Sequence, residues 1–128
     1  MKTKIYWALA AVLGLSLVVQ QLQAADGVDV KQAQSMNKQG ALLLDVREPD
    51  EYSAGHAPNA KLVPLGQLSS RLQELATYKD KPIVVMCRSG RRSAQAVSIL
   101  KDAGFSQVSN VQGGIQSWEN AGLEVVRM

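Results

Sequence analysis

Cys87 is the only cysteine among the 128 residues of the chain, and it stands where two local patterns meet. Before it, Pro82-Ile83-Val84-Val85-Met86 is a continuous apolar run, as expected of a strand covered on both faces. After it comes Arg88-Ser89-Gly90-Arg91-Arg92-Ser93; from Ala94, the residues Ala96, Ile99, Leu100 and Ala103 repeat at helical spacing, with Gly104 as the stop. A tight loop between a strand end and a helix start turns successive N–H groups inward and forms an anion cradle. A thiol on its rim is a candidate nucleophile. With an ordinary pKa near ~8.5 such a thiol is about 3% ionised at pH 7, whereas a value of roughly 6.5 would leave about three quarters as thiolate. The same positive field attracts an anionic substrate. The competing reading is a buried small hydrophobe, the common state of a free cysteine. Three arginines within five positions oppose it, because arginine is rarely buried unpaired. Cys87 is therefore the candidate catalytic residue, and Arg88, Ser89, Gly90, Arg91, Arg92 and Ser93 are the candidate substrate-binding loop.

Other polar residues invite plainer readings. Asp45 ends an apolar run; it could hydrogen-bond the loop from the neighbouring strand, but it better suits a local cap or a salt-bridge partner. Arg47, Glu48 and Glu51 read as an ion-pair set. His56, the only histidine, reads as a hydrogen-bonded structural residue, and Trp118 as core or pocket wall. One histidine and one cysteine do not make up the usual zinc ligand sets, so no metal is expected. A single cysteine also excludes an internal disulfide.

The elements that must position Cys87 alternate in type. A short strand is expected at Val28–Val30, then a helix capped near Asp29, running through Ala33 and Met36 and closed by Gly40. Ala41–Val46 reads as a second buried strand, and Pro49–Ala54 as a brief helix with proline at its start and Gly55 at its end. Leu62 and Val63 suggest a short strand; Leu65, Leu68, Leu72 and Leu75 line one face of a helix. Val108–Val111 is the last strand, followed by a Gly113-Gly114 turn and a helix carrying Ile115 and Trp118, ended by Gly122. Strands alternating with helices through short connections predict an α/β domain with a mainly parallel sheet. Sites in such sheets form at the carboxyl ends of strands, where Asp45 and Cys87 both fall.

The first residues have a different character. Lys2 and Lys4 precede an uncharged apolar run from Ile5 to Val19; Ala24, Ala25 and the polar Asp26 follow. This is the layout of a secretory signal peptide, and the run of about 15 residues falls short of the ~20 that a spanning helix needs. The expectation is a signal over 1–25, a domain over 26–128, and export, periplasmic in a Gram-negative source, without stable membrane association after removal. The net charge is +3. Without Lys2 and Lys4, twelve basic residues face eleven acidic ones, so the balance does not point to nucleic acid. The positive charge that matters is local to the loop.

Three segments together resemble a known family. Leu42-Leu-Leu-Asp-Val-Arg-Glu-Pro-Asp-Glu-Tyr-Ser-Ala-Gly-His56 is similar to the first signature of rhodanese domains, Cys87-Arg-Ser-Gly-Arg-Arg92 to their six-residue active-site loop, and Asn110-Val-Gln-Gly-Gly-Ile-Gln-Ser-Trp118 to their C-terminal segment. Ala57 and Asn59 depart from the usual Ile and Gly after the histidine, and Glu124 stands where proline is common. The resemblance implies a three-layer domain, with a five-stranded parallel sheet of order 1-5-4-2-3 flanked by helices. It further implies a sulfurtransferase in which the Cys87 thiolate takes the outer sulfur of an anionic donor such as thiosulfate. The resulting persulfide passes to a thiol or cyanide, with no cofactor; a monomeric protein is expected. Two alternatives stay open: a sulfur-carrying or partner-binding module without catalysis, and a cysteine phosphatase or arsenate reductase. The latter enzymes use Cys-x5-Arg; here that position is Ser93, and Arg92 comes one residue early.

Overall fold

Alternation along the two central strands decides the layers. In the computed structural model, which describes residues 27–128, β2 (Leu42–Asp45) and β4 (Ile83–Met86) pair in parallel, Leu42 opposite Ile83 and Asp45 opposite Met86. Successive side chains of a strand point to opposite faces. Leu42, Leu44, Ile83, Val85 and Cys87 accordingly join one apolar cluster, while Leu43, Val84 and Met86 join another. All eight residues of these two strands are buried, so each face needs a cover of helices.

The remaining strands are β1 (Gly27–Val28), β3 (Lys61–Leu62) and β5 (Val108–Val111), and every pairing is parallel in the order β1-β5-β4-β2-β3. One face carries α1 (Val30–Lys38) and α5 (Gly114–Asn120), whose Val30, Ala33, Ile115 and Trp118 pack on Leu43, Val84 and Val111. The other face carries α3 (Leu65–Leu68), a 3₁₀ segment (Leu72–Tyr78) and α4 (Arg91–Asp102), which bring Leu68, Leu75, Ala96, Val97 and Leu100 to the sheet. The brief α2 (Pro49–Ala54) follows β2 directly. This is the α/β architecture expected from the alternation of elements, with the strand order that the family resemblance implies. The signal expected over residues 1–25 lies outside the described residues.

Four elements differ in their bounds from expectation, the second strand being one residue shorter at each end than Ala41–Val46. The first strand stops at Val28, because Asp29 caps α1: its side chain accepts from the Gln32 N–H at 2.8 Å, and the Asp29 N–H donates to Gln32 Oε1 at 2.9 Å. The third strand is Lys61–Leu62, one residue earlier than expected. The leucine-lined helix is two elements, broken after Leu68. All four leucines still face the core, with Leu68 and Leu75 fully buried and Leu65 and Leu72 packed against them. Past the break, Leu72, Leu75 and Tyr78 recur every third residue, the period of the 3₁₀ turn they form.

Candidate functional site

β4 delivers Cys87 to the carboxyl edge of the sheet, and α4 begins four residues later. Gly90 is the N-cap, with φ +113, a conformation that side chains rarely adopt. That turn aims the Gly90 N–H at Cys87 Sγ, 3.0 Å away. Ser93, fully buried in the first turn of α4, places its Oγ 3.4 Å from the same sulfur. Cys87 itself is 1% exposed. Burial pushes the thiol up, but the Ser93 hydroxyl and the N–H groups of Ser93, Gly90 and Ser89 favour the thiolate more strongly, and the net shift is downward. The sulfur is thus set to ionise among hydrogen-bond donors of its own loop.

The carbonyls of the same loop are gripped from the other side. Cys87 O accepts from Ile115 N–H at 2.8 Å and Arg88 O from Gln116 N–H at 3.2 Å, both in the first turn of α5. The approach is close enough that a Cβ on Gly114 would lie 2.3 Å from Cys87 O. Glycine is required there.

The three arginines have different surroundings. Arg92 is tied by two bonds to Glu51 of α2, Nη1 to Oε1 at 2.7 Å and Nη2 to Oε2 at 2.8 Å. That bidentate bond is the chief reason the Glu51 carboxyl falls to about 2 and Arg92 is held above its usual range. Arg88 and Arg91 are exposed and form no ion pair among the described residues. Arg88 lines an open cavity of about 370 Å³ with Arg47, Glu51, Gly55, Gln116 and Glu119. A cavity of similar size, about 380 Å³, lies at the amino ends of β2 and β4 beside Ala41 and Pro82, away from the sulfur.

The expected ion-pair set of Arg47, Glu48 and Glu51 is replaced by two separate pairs, because the chain turns into α2 between them. Arg47, 4% exposed, forks onto the fully buried Asp45, with Nη2 to Oδ2 at 2.7 Å, and also donates to the carbonyl of Gly55 at 2.9 Å. Asp45 is therefore a salt-bridge partner, as expected, and it fastens α2 to the end of β2. Glu48 N-caps α2, its N–H donating to Glu51 Oε1 at 3.0 Å. His56 donates from Nδ1 to the Tyr52 carbonyl at 2.8 Å and stacks on the Tyr52 ring, with centroids 3.7 Å apart. Trp118, 2% exposed, is core, its Nε1 donating to Glu124 O at 2.7 Å.

Two residues at the site escape a reading by residue type. Gly114 looks like one half of a turn, and its role is visible only where α5 meets the Cys87 loop. Asn110 of β5 donates from Nδ2 to Gly90 O at 3.0 Å and accepts at Oδ1 from Ser93 Oγ at 2.6 Å. A carboxamide near the carboxyl end of the last strand was the available signal.

With this geometry in view, comparison with known proteins is informative. The family model described as "Rhodanese-like domain" matches residues 29–121. The curated protein "Thiosulfate sulfurtransferase GlpE" of Pseudomonas syringae is 36% identical over 88 residues, 69% of this chain and 81% of that protein. "Putative sulfur carrier protein YrkF" of Bacillus subtilis is 41% identical over 76 residues, 59% of this chain but only 40% of that longer protein. Among solved structures, the rhodanese-related protein of Thermoplasma volcanium superposes with a TM-score of 0.72 at 34% identity, covering 80% of this chain and 99% of that one. A match running from the cap of α1 past the end of α5 takes in four of the five strands, the Cys87 loop and the turn that grips it, and the chain belongs to the rhodanese-like sulfurtransferase family.

Proposed function

We propose that the protein moves sulfane sulfur from an anionic donor of the thiosulfate class, through a persulfide on Cys87, to a thiol or cyanide. The observation that carries this reading is the Cys87 sulfur held by the Gly90 N–H and the Ser93 hydroxyl at 3.0 and 3.4 Å. The thiolate attacks the outer sulfur of thiosulfate, an S–S bond forms, and the donor's S–S bond breaks with its electron pair leaving on sulfite. The persulfide anion then gives its outer sulfur to the acceptor, and Cys87 returns as thiolate. Neither step needs a general base, and the loop N–H donors stabilise whichever sulfur carries the charge. Exposed Arg88 and Arg91 are the charges we assign to attracting the donor.

A phosphoryl or arsenate reaction fits less well. The guanidinium that would clamp equatorial oxygens comes one residue early, at Arg92, and it already holds Glu51 by two bonds. Similarity to a sulfur carrier supports a second reading, in which the protein is loaded and unloaded by partners. Intact mass after incubation with thiosulfate tests the first. We expect a gain of one sulfur atom, removed by cyanide or dithiothreitol and absent in Cys87→Ser, together with multiple turnovers. A single loading without turnover would favour the carrier, and hydrolysis of an aryl phosphate with no sulfur gain would overturn both. The basic, then apolar, start of the chain supports export as part of this proposal.

A further inference from the structure

We propose that Asn110 is a positioning residue that sets the strength of the Cys87 nucleophile, by competing with its sulfur for the single proton of Ser93. The inference rests on the reading of Cys87 as a nucleophile. Ser93 Oγ lies 2.6 Å from Asn110 Oδ1 and 3.4 Å from Cys87 Sγ. A hydroxyl has one proton to donate and lone pairs to accept with. The carboxamide orientation is fixed, because Nδ2 donates to the Gly90 carbonyl at 3.0 Å. An unprotonated oxygen therefore faces Ser93, and in the 2.6 Å bond Ser93 is the donor.

Two states follow from that one proton. While Cys87 is a thiol, its S–H can donate to the Ser93 oxygen, and the Ser93 proton stays on Asn110. When Cys87 ionises, the sulfur becomes an acceptor, and Ser93 serves it only by turning away from a short bond with Asn110. Asn110 thereby limits how far the hydroxyl stabilises the thiolate and keeps the sulfur basic. Basicity matters here because an over-stabilised thiolate is a poor nucleophile, attack rates falling with thiol pKa with a slope of about 0.4–0.5. Gly90 does not depend on Asn110 for its place, since its carbonyl also accepts from the Ala94 N–H at 3.1 Å. The charged group that acts on the sulfur is Arg92, paired with Glu51 of α2; the other charges at this end of the sheet are Asp45 of β2, paired with Arg47, and the loop's own exposed Arg88 and Arg91. None of these is altered by the substitutions below.

The test is the rate of Cys87 alkylation by iodoacetamide against pH, read by mass, which needs no sulfur donor. Its result is thus independent of whether thiosulfate is the substrate. Asn110→Leu should lower the midpoint by about one unit, the scale of one hydrogen bond to a charge. It should also slow the high-pH plateau about threefold, a pairing that simple loosening of the loop would not give. Ser93→Ala should raise the midpoint, and adding Asn110→Leu to it should change nothing further. An unchanged midpoint in Asn110→Leu, or an equal shift with and without the Ser93 hydroxyl, overturns the proposal. Should circular dichroism show that Asn110→Leu does not fold, Asn110→Asp decides. A carboxylate is a stronger acceptor, so the midpoint should rise more with Ser93 present than in the Ser93→Ala background, and equal rises would overturn it.

Discussion

Gly114→Ala should break the grip of α5 on the Cys87 loop. The added Cβ would meet Cys87 O at 2.3 Å and Arg88 C and O at 2.7 Å. These are backbone atoms with no rotamer to escape into, so the loop and the helix start must separate by about an ångström to restore ordinary contact. That movement loses the bonds from Ile115 and Gln116 N–H, now 2.8 and 3.2 Å, at about 1 kcal/mol each. A non-glycine residue at φ +53 costs about 1–2 kcal/mol more, and the residual overlap about 1 kcal/mol. The sum is about 4–5 kcal/mol. Gly122→Ala is the control: its φ is +74 and nothing lies within 4 Å of the added carbon, so only the backbone cost of about 1–2 kcal/mol applies. Urea unfolding of both variants measures the difference, expected at about 3 kcal/mol. Alkylation of Cys87 in the folded Gly114→Ala protein should also shift its midpoint toward the ~8.5 of a free thiol. Equal stability losses in the two variants, or an unchanged alkylation profile, would refute the reasoning.

Three further outcomes are expected. Glu51 ionises near 2 in the folded protein, against an ordinary 4.5, chiefly because of its bond to Arg92; the stabilisation is complete above about 4.5 and is lost as pH falls toward 2. An acid titration followed by circular dichroism should lose this part of its slope in Glu51→Gln. Asp45→Asn leaves the Arg47 guanidinium buried without a counter-charge and should cost about 3–5 kcal/mol, with the Arg47→Met partner change recovering part of it in a thermal melt. N-terminal sequencing of the native protein should find Ala25 or Asp26 first, in an envelope or secreted fraction. Intact Met1 in the membrane pellet would show an anchor instead.

The amino-acid sequence by itself determined the frame. The apolar run Ile83–Met86, the glycine and three arginines behind Cys87, and the helical spacing of Ala96 and Leu100 are local signals, set by backbone periodicity and by where glycine is needed. They place the thiol at a strand end under a helix start without knowledge of any neighbour. The leucines from Leu65 to Leu75 likewise chose their face correctly, although the period could not distinguish one α-helix from a short helix followed by a 3₁₀ segment. Only the tertiary structure decided how the charges and donors are shared. Arg88, Arg91 and Arg92 are equivalent as letters; Arg92 alone meets Glu51, 41 positions away. Asn110 reaches Gly90 and Ser93 because β5 pairs with β4, with Asn110 opposite Val85. Gly114 matters because α5 returns its first turn to the carbonyls of Cys87 and Arg88. Each of these is a contact between segments far apart in the chain, and strand order, which no local pattern encodes, is what brings them within hydrogen-bond reach.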